Sequence, residues 1–248
     1  MSKLHLRISP HLTSAAFACL FTFCSCDTTV KTDTANVGEA IHKTNKITPS
    51  ETFQIDTTKS EITWIGAKMT GRHNGYFKIK EGELYMNNGL LSDGRIVIDM
   101  ANMRAEDKKI DQSSNEKLTK HLRSPDFFDV EKYPTAVFEL TGVAPYDSTK
   151  TKTQAKAVRN ADDALRVKHP THQVTGNLTL KNKTKSISFP AKVTMDDSVL
   201  KAKANFNINR TDWDLVYRSD ESLGDKTIYP EVNIGFNIVT KPQSKTNL

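Results

Sequence analysis

Apolar and polar residues alternate strictly along several stretches of this sequence, and no other feature constrains the fold as much. Residues 187–195 and 200–208 each carry apolar side chains at every second position. Because successive side chains of a β-strand point to opposite faces, this period of two predicts strands with one buried and one wet face. Shorter or less regular runs of the same kind occur at residues 62–64, 96–100, 135–140, 174–180 and 232–239.

Turn signals separate these runs. The dipeptides Asn-Gly at 74–75 and 88–89 and Asp-Gly at 93–94 tolerate the positive φ of tight hairpins. The chain therefore has roughly eight or nine strands, the number at which an antiparallel sheet closes into a barrel wide enough for one ligand. We predict an all-β fold, an extended antiparallel β-barrel with one short helix.

The predicted helix lies in a segment between two of these strands. Ser113 and Glu116 have the spacing of a capping box, which predicts a helix start at Ser113. Leu118 and Leu122 share one helix face, and Pro125 ends the helix because the residue before a proline is pushed out of the α region. Two adjacent phenylalanines follow at once, so we predict a small lid or plug that leads into the next strand.

This segment is part of a longer resemblance. The string HLRSPDFFDVEKYPTAVFEL at residues 121–140 closely resembles the hallmark of the YceI-like family of bacterial lipid-binding or polyisoprenoid-binding proteins. SEITWIGAKMTGRHNGYFKIKEGEL at 60–84, HQVTGNLTLKNKTKSISFPAKV at 172–193 and FNINRTDWDL at 206–215 agree with the same family in order. The resemblance spans residues 53–240 and implies a lipocalin-like barrel whose tunnel holds a polyprenyl or other long-chain lipid. It also implies that two such barrels can pair as a homodimer.

The N-terminus has the features of an exported protein. Lys3 and Arg7 give a positive start, and residues 12–23 form an apolar run too short to span a membrane. The following run FCSCDTT resembles a loose bacterial lipobox. We therefore predict a lipoprotein-type signal peptide over residues 1–26 and acylation of Cys26. Simple secretion without a lipid anchor is the alternative.

Composition divides the rest of the chain. Residues 27–50 are rich in Thr, Lys, Asp and Asn and repeat at neither period, which predicts a flexible tether. The YceI-like barrel domain is expected at 51–242, with a polar loop insertion at 146–170, and residues 243–248 form a C-terminal tail. This order predicts a protein of the bacterial cell envelope on the periplasmic side, either membrane-anchored through an N-terminal acyl group or, alternatively, secreted as a soluble periplasmic protein.

Charge and motifs exclude several function classes. The formal net charge is +6, but Lys and Arg are spread along the chain without a long block, so we expect no nucleic-acid partner. No motif of a serine hydrolase, a P-loop NTPase or a zinc protease occurs, and all three cysteines lie at or before Cys26. His169 and His172 form a pair too small for a zinc site. We expect no metal, no cofactor and no catalytic residue.

The barrel interior is the candidate site. Aromatic residues on the apolar strand faces and after the helix either pack into a filled core or line an apolar cavity, and alternation alone does not choose between these outcomes. The family resemblance favours a cavity, with a long-chain isoprenoid or other lipid as the expected ligand. The candidate lumen residues are Trp64, Phe127, Phe128, Phe138, Phe189, Phe206 and Phe236.

Polar contacts with a head group have three candidates, His121, Arg123 and Arg210. Each also has a purely structural alternative. His121 can complement the dipole at the C-terminal end of the helix. Arg123 can pair with Asp126 or Asp129. Arg210 can pair with Asp212 or Asp214 across a strand end.

These observations predict an envelope protein that sequesters or carries a long-chain hydrophobic molecule, such as a polyisoprenoid, inside its barrel. One alternative is a non-catalytic interaction or structural domain with a packed core. A second is an enzyme that acts on an amphipathic substrate through acids such as Asp99 or Glu139, although both occupy strand positions that look outward.

Overall fold

The computed structural model describes residues 28–43, 48–149 and 161–242. The predicted signal peptide, Cys26 and the predicted tail after residue 242 lie outside these ranges. Within the ranges, no helix is both long enough and apolar enough to cross a membrane. The strands are β1 Asn36–Glu39, β2 Glu51–Gln54, β3 Glu61–Lys68, β4 Gly71–Asn87, β5 Leu90–Ala105, β6 Thr135–Pro145, β7 His172–Leu180, β8 Lys183–Asp196, β9 Val199–Asn209 and β10 Ile228–Val239; the helix α1 is Gln112–Arg123, and two 3₁₀ turns are Arg210–Trp213 and Glu221–Lys226.

The strands β3 to β10 close into an eight-stranded antiparallel barrel, which confirms the predicted fold class. Each of these strands pairs with the next along the chain. β10 returns to pair with β3, with Ile234 opposite Trp64. Ile187, Phe189 and Ala191 are all buried, as their alternation predicts. We call the end of the barrel covered by α1 the helix end and the opposite end the far end.

The N-terminal segment completes the barrel wall. β8 and β9 pair with each other only toward the far end. Toward the helix end, β1 pairs with β8 instead, and the residues before β1 bond to Asn207 of β9. The prediction of a flexible tether over residues 27–50 is therefore wrong for residues 28–43, where Val30 and Ala35 are buried. The four-residue strand β1 forms because β8 and β9 leave a gap between them at the helix end, and the sequence of β1 alone does not reveal that gap.

Two of the three predicted turns are continuous strand. Residues 88–89 form a hairpin turn with positive φ at both positions, as predicted. The other two dipeptides lie inside β4 and β5. Gly75 is required there for close packing, because a Cβ would lie 1.9 Å from the carbonyl oxygen of Arg104 and 2.7 Å from Cζ2 of Trp64. This glycine makes room for a neighbouring strand and an indole ring rather than for a turn.

The N-cap of α1 lies two residues before the predicted one. Asp111 is the cap, and its carboxylate accepts a hydrogen bond from the backbone N–H of Ser114 at 2.9 Å. The prediction of Ser113 was wrong because aspartate and serine are both competent caps, and spacing alone did not separate them. The helix ends before Pro125, as predicted.

Part of the predicted insertion packs on the N-terminal segment. Asp162 is buried, and its carboxylate lies 2.6 Å from Nη1 of Arg72 and accepts from the backbone N–H of Lys31 at 2.9 Å. Arg72 also donates to the carbonyl of Thr29 at 2.7 Å. Residues 161–170 thus belong partly to a polar clamp that holds the N-terminal segment against the barrel.

Candidate functional site

The helix end of the barrel contains a partly open cavity of about 530 Å³. Its walls are inward-facing strand side chains, among them Trp64, Phe77 and Ile98. Leu118 and Leu122, which share one face of α1 as predicted, line the cavity from above. A concave and mostly apolar space of this size is typical of a small-molecule site.

The two phenylalanines after α1 close the cavity and also attach the lid. Phe127 is buried, and its ring centroid lies 5.2 Å from that of His121 and 5.1 Å from that of Tyr217. Phe128 meets Phe77 of the wall edge to face at 5.9 Å. Both phenylalanines line the cavity. The two phenylalanines therefore line the cavity and also attach the segment after α1 to the barrel.

Arg210 is a buried cation at the mouth of the cavity. Its guanidinium donates to the carbonyls of Leu215, Tyr217, Ile228 and Tyr229. Neither predicted aspartate pairs with it: Asp214 instead accepts from Nζ of Lys183 at 2.7 Å, and Asp212 forms no ion pair within the described part of the chain. Burial lowers the pKa of Arg210 to about 10, so the side chain stays charged at neutral pH. Arg210 thus ties the loop after the first 3₁₀ turn to the start of β10.

The other two head-group candidates lie on different sides of α1. His121 lines the cavity, and its Nε2 lies 3.2 Å from Oδ2 of Asp126. Arg123 does not line the cavity, and its Nη2 donates to the carbonyl of Met103 at 2.7 Å. Among the described residues, Arg123 forms no ion pair with Asp126 or Asp129. Because Leu118 and Leu122 face the lumen, Arg123 on another side of α1 points away from it.

Arg123 instead lines an open groove of about 1050 Å³ on the outside of the barrel, between α1 and the end of β5. Basic residues such as Arg104 and Lys108 alternate there with acids such as Glu106 and Glu131. This groove is larger than the cavity at the helix end, but its lining is more polar and its charges are mixed. The more apolar cavity is the better candidate for a ligand site.

The mouth of the cavity at the helix end is predominantly basic. The lining residues there include Lys68, Arg210, Arg218 and Lys226, against one lining carboxylate among the described residues, Asp225. The interior beneath them is apolar. This arrangement is electrostatically complementary to an amphiphile with an apolar tail and a negative head group.

One polar group in the cavity wall, the indole N–H of Trp64, has no hydrogen-bond partner within the described part of the chain. Trp64 is 7% exposed, and its indole N–H finds no acceptor among the residues that the structure describes. Buried donors nearly always have an acceptor. A bound molecule with an oxygen atom near the indole can supply it.

Below the cavity, the middle of the lumen is filled by four phenylalanine rings, which we call the four-phenylalanine cluster: Phe138, Phe189, Phe206 and Phe236. Phe189 stacks on Phe206 with ring centroids 4.1 Å apart. The space left beyond the cluster is about 50 Å³. The lumen is therefore hollow at one end only.

The structure separates the predicted lumen residues into two groups. Those that line the cavity are Trp64, Phe127, Phe128, Phe206 and Phe236. Phe138 and Phe189 line the small far space instead.

Several lining residues were missed from the sequence. Met100 belongs to a run of alternating residues and was detectable in principle, while Met103 lies just beyond that run. Tyr217 and Arg218 come from an irregular loop, where no periodicity signals the inward direction.

The two acids considered for catalysis lie outside the cavity. Asp99 accepts from the side chain of Asn102 at 2.7 Å, and Glu139 is exposed on β6. Within the described ranges, no three His, Cys, Asp or Glu side chains come close enough together to hold a metal ion.

Residues 53–240 match the family described as the YceI-like domain. The chain belongs to the YceI-like family. A UPF0312 protein of Pseudomonas aeruginosa (strain LESB58) is 36% identical over 107 residues, which cover 41% of this YceI-like chain and 44% of that protein. A UPF0312 protein of Pseudomonas paraeruginosa matches with the same identity and coverage. The chain thus spans less than half the length of these curated relatives.

Two solved structures share the fold of this YceI-like protein. BcnA of Burkholderia cenocepacia superposes with a TM-score of 0.55 at 20% identity, covering 75% of this chain and 99% of BcnA. A polyisoprenoid binding domain from Saccharophagus degradans, implicated in plant cell wall breakdown, gives a TM-score of 0.51 at 13% identity and covers 77% of this chain and 98% of that domain. At these identities the similarity concerns the fold alone.

Proposed function

We propose that this YceI-like protein binds a long-chain hydrophobic molecule, a polyisoprenoid or related lipid, in the cavity at the helix end. The observation that carries the proposal is the cavity itself, about 530 Å³ of concave and mostly apolar space beneath a helical lid. Each methylene buried there contributes about 0.8 kcal/mol. The fold neighbour described as a polyisoprenoid binding domain supports the same ligand class.

The polar end of the ligand belongs at the basic mouth. Arg210 is held by four carbonyls and provides a fixed positive charge, while the exposed Arg218 and Lys226 can move toward a head group. His121 lies beside them, and the unpaired indole N–H of Trp64 offers one donor inside the wall. Binding of this kind needs no reacting group, so we propose a carrier or sequestering protein rather than an enzyme.

We also propose that the protein acts in the bacterial envelope, anchored on the periplasmic side through an acylated Cys26, with a soluble periplasmic form as the alternative. The support is the sequence of residues 1–26, which lie outside the described ranges. Cys26→Ser should release the protein from the membrane fraction. Membrane association of this variant with an unmodified N-terminus would contradict the anchor.

Lipid analysis of the full chain, purified gently from a bacterial host, tests the ligand. We expect about one extractable long-chain lipid per protein and its loss in Ala67→Trp, because Ala67 is buried and lines the cavity. Ala101→Trp is the matched control, since Ala101 is exposed in the outer groove. A protein that is empty and takes up no added lipid would contradict the proposal and favour an interaction domain.

A further inference from the structure

We infer that the four-phenylalanine cluster limits the length of the ligand, so that the cavity accepts a single-chain amphiphile of about twenty carbons and not a long polyprenyl chain. This inference rests on the proposed function and defines which hydrophobic molecules the site takes. It follows from the position, the packing and the size of the two spaces in the lumen.

The cluster forms the partition between the two spaces. Phe206 lines the cavity, Phe138 and Phe189 line the far space, and Phe236 lines both. The four rings come from β6, β8, β9 and β10, and Phe189 contacts each of the other three. A tail that enters from the mouth therefore meets Phe206 and Phe236 first.

The partition is well packed. Phe206 and Phe189 are almost fully buried. The ring of Phe138 lies against the backbone of β7, where a Cβ on Gly176 would be 2.3 Å from its Cζ. Side chains in such close packing have little room for another rotamer. The space behind them, about 50 Å³, equals only about one or two water molecules at roughly 30 Å³ each.

The size of the cavity sets the chain length. An apolar cavity of about 150 Å³ holds one benzene, which is about 25 Å³ per carbon. The cavity of about 530 Å³ therefore holds about twenty carbons. A chain of about forty carbons would need roughly twice that volume and would leave half its length in water. The basic mouth favours an anionic head group on this chain.

A homologous series of straight-chain carboxylic acids, from about ten to about thirty carbons, tests the limit on the full chain. The affinity should rise about threefold to fourfold per methylene and stop rising near twenty carbons. An affinity that continues to rise to the longest acid would overturn the limit but leave the proposed function intact. If no acid of any length binds, both the limit and the proposed function lose their support.

Phe189→Ala connects the two spaces and should move the plateau toward longer acids by about six carbons, the size of the removed ring. Phe53→Ala is the matched control, because Phe53 is equally buried and lines neither space. If Phe189→Ala does not fold, Phe189→Leu opens the partition less and should give a smaller shift in the same direction. A plateau that is unchanged in the folded Phe189 variant overturns the role of the cluster.

Discussion

The two ends of the barrel have the same alternation of side chains, yet one is filled and the other is hollow. Toward the far end, four phenylalanine rings meet across the lumen and close the cavity from below. At the helix end, Ile98, Met100 and Met103 line the wall and α1 lies above them. Alternation decides which side chains point inward. The reach of those side chains across the lumen decides whether a cavity remains.

The two ends also differ in what stabilises them. The far end relies on apolar packing, which must exclude any guest. The helix end remains hollow, and hydrogen bonds of charged groups hold its rim: Arg210 with four carbonyls, Arg72 with Asp162, and Asp111 at the cap of α1. Substitutions should therefore have large effects at the far end and smaller, partly pH-dependent effects at the helix end.

The largest difference in the free energy of unfolding should come from replacing a phenylalanine by alanine in the four-phenylalanine cluster and at the helix end. Phe206→Ala should lower the free energy of unfolding by about 3–5 kcal/mol, because its buried ring stacks on Phe189. Phe128→Ala should cost about 1–2 kcal/mol, since its ring is only partly buried. Urea unfolding measures both variants, and equal costs would show that the two ends are equally well packed.

Arg210→Met should cost about 2–3 kcal/mol, because it removes the donor from four backbone carbonyls at the rim. The control is Arg218→Met, which removes an exposed arginine from the same mouth and should stay within about 0.5 kcal/mol. Urea unfolding compares them. Two indistinguishable variants would mean that the rim does not depend on this buried cation.

Asp162→Asn should cost about 1.5 kcal/mol near neutral pH. Hydrogen bonding to Arg72 holds the pKa of Asp162 below its usual value, against the opposing effect of burial. Because the folded pKa is the lower one, this stabilisation is complete above the unfolded pKa of about 3.9 and is lost as the pH falls through the folded value.

Urea unfolding at a series of pH values checks this sign. The difference between wild type and Asp162→Asn should shrink on acidification, whereas the cost of Phe206→Ala should stay nearly constant. A cost of Asp162→Asn that is the same at every pH would contradict a role for the ionised carboxylate.

The smallest expected effect concerns the lid. Asp111→Ala should cost about 1 kcal/mol through loss of the N-cap, and Ser113→Ala should stay within about 0.5 kcal/mol. Thermal unfolding followed by circular dichroism compares the two. A larger cost for Ser113→Ala than for Asp111→Ala would support Ser113 as the N-cap, as the sequence predicted.

The barrel was predictable because alternation is a local signal that survives folding. Ala136, Phe138 and Leu140 are all buried on β6, as their spacing indicates. The position of Arg123 was also within reach: it follows Leu122 directly, and neighbouring residues on a helix point in different directions. If the face with Leu118 and Leu122 points into the lumen, the helical position of Arg123 places its side chain outside the cavity.

The remaining errors concern contacts that no periodicity along the chain encodes. The partners of Arg210 are carbonyls of a loop and of β10, and no spacing of charges encodes them. Gly75 leaves room for the indole of Trp64 on the adjacent strand. The division of the lumen depends on four rings from four strands, so a list of inward-facing aromatics could not tell a filled section from a hollow one.

The N-terminal segment runs to the rim of the cavity, where the hydroxyl of Thr28 donates to the carbonyl of Lys68 at 2.6 Å and Lys68 lines the mouth. Under the proposed attachment at Cys26, two residues of chain, at most about 7 Å, would separate this rim from the membrane anchor. This length is shorter than the hydrocarbon layer of one leaflet, about 15 Å. Under this attachment a lipid tail would pass from the leaflet directly into the lumen at the membrane surface, which corresponds to the sequestering role in the proposed function.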